Sequence, residues 1–148
     1  MGTWGPGPFD SDGARDLIDF MAQRSPDERR HAFHGIFADA MRLSDDDVDL
    51  HPSDVIAAVA LIAMSVPGGP EQLGEIATEK AAAGIVAGLD PQLATEALVA
   101  LAAMSVPGND WYDTWIEDDP EGEAAQSAQA VTEVLRVFVS ESDGRRAG

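Results

Sequence analysis

A ten-residue apolar stretch occurs twice in this chain of 148 residues. "VALIAMSVPG" at residues 59–68 returns as "VALAAMSVPG" at residues 99–108, with nine of ten positions identical and an offset of 40. Both copies end in Pro-Gly, which stops a helix because proline lacks an amide donor and glycine permits a left-handed exit. Two copies are too few for a solenoid, which needs about three units. The repeat therefore predicts two similar helices that pack as a central pair.

Hydrophobic periodicity predicts further helices on both sides of this pair. The first covers about residues 13–23, and its apolar positions are spaced i, i+3, i+4, i+7: Ala14, Leu17, Ile18 and Met21. An alanine-rich segment over residues 72–88 is predicted to be helical. The last helix begins near Ala124 and presents an apolar seam that ends at Phe138.

The start of the second helix has a local signature. Ser25 can cap the helix, Pro26 suits the first helical position and Glu28 completes a capping box. Its buried stripe is predicted to consist of Phe33, Ile36, Phe37, Ala40 and Met41. Together these patterns predict a single all-α domain over residues 1–140, a bundle of six or seven helices with an extended arm over 1–12 and a mobile tail over 141–148.

Charge is distributed unevenly along the chain. The net charge is -18, and residues 43–135 contain eighteen acidic residues but one basic residue, Lys80. Such a surface repels nucleic acid and anionic membranes and attracts a basic protein, although solubility alone accounts for the same counts. The chain has no cysteine, which excludes disulfides and cysteine-ligated zinc. It has no signal-peptide pattern and no apolar run long enough for a membrane span, so we expect a cytoplasmic protein.

Few residues have the spacing that catalysis requires. His31 and His34 are close enough on the second helix to share a metal, and His51 is the third histidine of the chain. No H-E-x-x-H pattern accompanies them, so we predict no metal site and no cofactor. The alternatives to a non-enzymatic protein are a metal-dependent hydrolase that uses the first two histidines with a carboxylate, or a small-ligand-binding protein.

An aromatic cluster follows the second copy of the repeat. Asn109-Asp110 is a good cap for a short helix that places two tryptophans on one face. Buried tryptophans would close the core, whereas exposed ones would form a binding site with an acidic rim. The candidate partner-binding residues are Trp111, Tyr112, Asp113, Trp115, Glu117, Asp118 and Asp119.

The N-terminal arm contains two aromatic residues among glycines and prolines. Trp4 and Phe9 can anchor an extended arm on the bundle as a clasp, or they can line a ligand or partner site that has Asp10 and Asp12 at its rim. The two aspartates are also suitable helix caps.

The same opening residues, Met1, Gly2, Trp4, Gly5, Gly7, Phe9, Asp10 and Asp12, resemble those of a bacterial domain-of-unknown-function family. Its members begin M-G-x-W-G-x-G-x-F followed by an Asn/Asp cluster. The resemblance extends through "LHPSD", "LDPQLATEAL" and "NDWYDTW", and departs at Pro6, Pro8, Ser11 and a longer segment over residues 70–88. It implies a small helical bacterial domain without an established activity. The sequence thus favours an acidic, non-enzymatic interaction module that binds a basic protein, for which an immunity or inhibitor protein is one example.

Overall fold

A computed structural model describes residues 12–42, 52–65, 91–106, 112–113, 116–117 and 122–147. This part of the chain contains five α-helices and no strand, which confirms the predicted all-α class for these residues. In chain order the helices are α1 (Asp12–Ala22), α2 (Pro26–Ala40), α3 (Pro52–Ser65), α4 (Pro91–Met104) and α5 (Glu123–Ala147). The predicted helix over 72–88 and the arm before Asp12 lie outside the described residues.

A short turn joins α1 to α2. The capping box at the start of α2 is confirmed, because the Glu28 amide donates to Ser25 Oγ at 3.3 Å and the Ser25 amide donates to Glu28 Oε1 at 3.2 Å. Arg29 Nε donates to the Met21 carbonyl at 2.6 Å, which satisfies a carbonyl at the end of α1. The turn is therefore held by side chains from the first two turns of α2.

The centre of the bundle is α3. All residues from Val55 to Met64 are buried, and α3 packs against each of the other four helices. Four alanines in α3 have no side chain beyond Cβ and allow neighbouring helices to approach closely: Ala57, Ala58, Ala60 and Ala63. Its most extensive contact is with α4, so the predicted pairing of the two helices that carry the repeat is confirmed.

The outer helices bury one side each. In α1, Ile18 and Met21 face the core, and in α5 the buried residues include Val131 and Leu135. In α2, Phe33 and Phe37 are buried and their rings stack with centroids 6.2 Å apart. These positions agree with the apolar patterns of the sequence.

Two details differ from the sequence prediction. Met41 is exposed rather than buried, because α2 ends at Ala40 and Met41 is the C-cap residue. The segment predicted to be a tail, 141–148, is helical as far as Ala147, because α5 continues to that residue. Among the described residues, no helix has both the length and the hydropathy that a membrane span requires.

Candidate functional site

The two copies of the repeat have different environments. Ala60, Leu61 and Met64 of the first copy are buried, and so are their equivalents in the second: Ala100, Leu101 and Met104. The first valines of the two copies differ sharply in solvent exposure, because Val59 is 1% exposed and Val99 is 49% exposed. The one position at which the copies differ in sequence shows the same contrast in exposure, since Ile62 is fully buried and its equivalent Ala102 is exposed. The outward side of α4 is thus accessible where the same side of α3 is covered.

This exposed side of α4 is apolar at its C-terminal half. Val99 and Ala102 are exposed in the helix, and Val106, 48% exposed, follows the last turn. The half-buried residues Leu98 and Ala103 pack against the core beside them. We refer to Val99, Ala102 and Val106 as the α4 outer face.

A polar contact links α2 to α4. His34 Nδ1 lies 2.9 Å from Glu96 Oε1 and 2.8 Å from Glu96 Oε2, and the two side chains are 32% and 31% exposed. The second carboxylate oxygen is buried and has no hydrogen bond in acceptable geometry. A carboxylate in this position orients the imidazole ring and fixes the relative position of the two helices.

The other histidine of the predicted pair lies on a separate surface. His31 is exposed and lines a shallow groove of about 390 Å³ between the end of α1 and the start of α2. Phe20 and Arg24 form the opposite side, with the Arg24 guanidinium carbon 4.3 Å from the centre of the Phe20 ring. The arrangement is a cation-π contact on an open surface.

The metal hypothesis requires at least three ligands in one place. Within the described ranges, no group of three His, Asp or Glu side chains can hold a metal ion. His34 is engaged with Glu96, and His51 lies outside those ranges. The described residues therefore offer no support for the metal-dependent hydrolase.

Part of the predicted aromatic and acidic cluster is described. Tyr112 and Asp113 begin a helical turn in which the amides of Ile116 and Glu117 both donate to the Tyr112 carbonyl at 2.9 Å. Tyr112 is half-buried, Ile116 packs against the core, and the two acidic side chains are exposed. The turn places two exposed carboxylates beside Ile116, which packs against the core.

The remaining predicted site residues lie outside the described part of the chain. They are Trp4, Phe9 and Asp10 of the arm and Trp111, Trp115, Asp118 and Asp119 of the cluster. The backbone of Asp12 is described as the first residue of α1, and its role as a cap or at the rim of a site stays a prediction. Sequence reasoning missed the contact of Glu96 with His34 and the α4 outer face. The one sequence signal for that face was Ala102 at the position equivalent to Ile62.

Comparison with known proteins gives one match. The family "Domain of unknown function (DUF4259)" matches residues 2–141, which is nearly the whole chain, so the chain belongs to this family. No curated protein and no solved structure matches it.

Proposed function

We propose that this member of the DUF4259 family is a non-enzymatic interaction module whose acidic surface binds a basic protein. An immunity or inhibitor protein that neutralises a basic toxin would be one instance of such a module. The proposal does not depend on a catalytic group, and the described residues bring together no set of side chains with the geometry of a known metal centre.

The observation that carries the proposal is the separation of charge along the chain. Between residues 43 and 135 there are eighteen acidic residues and one basic residue, and five of the nine basic residues precede residue 43. The acidic stretch includes all of α3 and α4 and the first half of α5. A surface of one sign accelerates the encounter with an oppositely charged partner and disfavours partners of the same sign.

The exposed carboxylates near the aromatic cluster are the best candidates for direct contact. Asp113 and Glu117 are exposed on a turn whose apolar residues Tyr112 and Ile116 are partly buried. Binding sites in proteins commonly combine aromatic anchors with a polar rim. Their neighbours Asp118 and Asp119 extend the acidic sequence.

The test is a capture experiment with a matched pair of variants. The first variant neutralises the cluster with Asp113→Asn, Glu117→Gln, Asp118→Asn and Asp119→Asn. The control variant neutralises four exposed acids of α1 and α2, where basic residues are interspersed: Asp16, Asp19, Asp27 and Asp39. Both variants remove the same net charge from the protein. We expect the immobilised protein to capture a basic protein from lysate of the source organism at low salt, and the partner is then identified and purified.

The binding kinetics of the purified partner test whether the acidic surface is the binding site. We expect the association rate to fall steeply with ionic strength, and the cluster variant to weaken binding at least several-fold more than the control variant. Both variants should keep the stability of the original protein, because exposed charges contribute little to folding. A partner whose binding is insensitive to salt and to the cluster variant would refute the proposal, as would the failure to recover any partner.

We also propose that the N-terminal arm is a clasp on the bundle. Its support is the pairing of Trp4 and Phe9 with glycines and prolines, which favours an extended chain held by two aromatic anchors. In this role the arm stabilises the domain without contacting the partner.

A further inference from the structure

We infer that the α4 outer face is a docking site for a basic amphipathic helix of the partner protein. The inference rests on the proposed function and adds the place and the shape of the contact. Val99, Ala102 and Val106 form the apolar part of this site. The bound helix would cover Val99 and Ala102 as the bundle covers their equivalents in α3, Val59 and Ile62.

The two copies of the repeat provide an internal comparison. The first copy is surrounded, because α3 packs against four of the described helices. The second copy lies on α4, which packs extensively against three described helices: α2, α3 and α5. Among the described helices, α1 is the one that packs against α3 and makes no comparable contact with α4. Among the described helices, the second copy therefore has no counterpart of α1. An added helix would restore for α4 the environment that its near-identical sequence has in α3.

The properties expected of the incoming helix can be taken from α1, which packs against α3. This helix has 11 residues, buries Ile18 and Met21 against the core and exposes Asp16 and Asp19 on the opposite side. A helix of this kind needs only about three turns with apolar residues at i, i+3 and i+7 to cover a face of three small side chains. Valine and alanine leave room for larger residues such as leucine on the incoming helix.

Charge determines the polar side of the partner helix. The whole of α4 lies within the acidic stretch of residues 43–135, and its single ionisable side chain is that of Glu96. A helix flanked by lysine or arginine is attracted to this region, whereas an acidic helix such as α1 is repelled. A second copy of the chain is therefore a poor occupant, because each copy has a net charge of -18 and the exposed acids of α1 would meet another acidic surface.

The test uses two synthetic helical peptides as probes. Each is about 15 residues long, a length at which an isolated helix is marginally stable, with leucines at i, i+3 and i+7. The other positions are mainly alanine, with a few lysines on the polar side of one peptide and the same number of glutamates in the second, because alanine favours a helix and dense like charges oppose it. Binding to the full chain is measured by fluorescence anisotropy at low and at physiological salt.

The protein variants distinguish binding at the α4 outer face from general electrostatic attraction. The double variant Val99→Gln, Val106→Gln removes the apolar surface without changing charge. Val137→Gln is the control, because Val137 is an exposed valine of a different helix, α5. We expect the lysine peptide to bind the original protein and the control equally and to lose about tenfold in affinity for the double variant. The glutamate peptide should not bind. Urea denaturation checks that both variants remain folded.

Three results would overturn the inference. The first is a lysine peptide that fails to bind, and the second is one that binds the double variant as well as the control. The third is a dimer of the original protein, detected by light scattering, that the double variant converts to a monomer, because the occupant would then be a second copy. If the natural partner is captured in a salt-dependent way but is insensitive to the double variant, the docking site is wrong while the proposed function stands.

Discussion

The same valine-to-alanine substitution should have very different effects in the two copies of the repeat. The two copies, residues 59–68 and residues 99–108, differ only at residues 62 and 102. Val59 is 1% exposed and Val99 is 49% exposed, so the two valines have different tertiary environments within nearly the same repeat. The expected loss of stability can be derived from this difference in burial.

The magnitude follows from the carbon atoms that are removed. Deleting two buried carbons from Val59 forfeits about 1.6 kcal/mol of transfer free energy at ~0.8 kcal/mol per group, and the residual cavity raises the total to about 2–3 kcal/mol. At Val99 the half-exposed side chain forfeits about 0.8 kcal/mol, which the better helix propensity of alanine offsets by up to about 0.5 kcal/mol. We therefore expect Val99→Ala to change the free energy of unfolding by less than about 0.5 kcal/mol.

Urea denaturation followed by circular dichroism measures both variants. With a slope of about 2 kcal/mol per molar urea, Val59→Ala should lower the midpoint by about 1 M, and Val99→Ala should leave it within about 0.3 M of the original. Leu61→Ala and Leu101→Ala are the controls, because both leucines are buried and both substitutions should destabilise by about 2–5 kcal/mol. Equal losses for the two valine variants would refute the assignment of an open face to α4.

Three further predictions concern contacts outside the repeat. Ser25→Ala should destabilise the protein by about 1 kcal/mol, because it removes the cap of α2. The hydrogen bonds from Ser25 hold the pKa of Glu28 below its ordinary value, so the stabilisation from this carboxylate is present above that value and is lost as the pH falls; the same substitution should raise the Glu28 pKa in an NMR titration. A double-mutant cycle with His34→Gln and Glu96→Gln should give a coupling of about 1 kcal/mol between α2 and α4, and a coupling near zero would contradict the geometry. Removal of residues 1–9 should lower the melting temperature by several degrees if the arm is a clasp, and an unchanged melting temperature would reject that proposal.

Local features of the structure were the most predictable from the sequence. The capping box of α2 depends on residues within three positions of one another, so Ser25, Pro26 and Glu28 were sufficient to predict it. The burial of Phe33 and Phe37 followed from helical periodicity. The predicted burial of Met41 was wrong, because the apolar periodicity continues past Ala40, the residue at which α2 ends. The sequence has no strong helix-stop signal there.

Contacts between distant segments were not predictable from a single sequence. Glu96 is 62 positions from His34, and no local pattern connects an acidic residue of α4 with a histidine of α2. The exposure of Val99 had only one sequence signal, the difference at residues 62 and 102, because the two copies of the repeat are otherwise identical. Periodicity predicts that a helix has an apolar side, but the number of helices around it depends on the tertiary arrangement.

The single substitution between the copies offers the most direct test that links the fold to the docking site. Ala102→Ile gives α4 the residue that α3 has at the equivalent position, where Ile62 is fully buried. Because Ala102 is exposed, the larger side chain meets no packed neighbour, and we expect a change in stability below about 0.5 kcal/mol from the lower helix propensity of isoleucine. The added apolar surface should instead raise the affinity for the lysine peptide several-fold. A loss of stability above about 1 kcal/mol would mean that the position is already packed, since overfilling a closed core has a penalty of about 1–3 kcal/mol. In that case the α4 outer face would not be available to a partner.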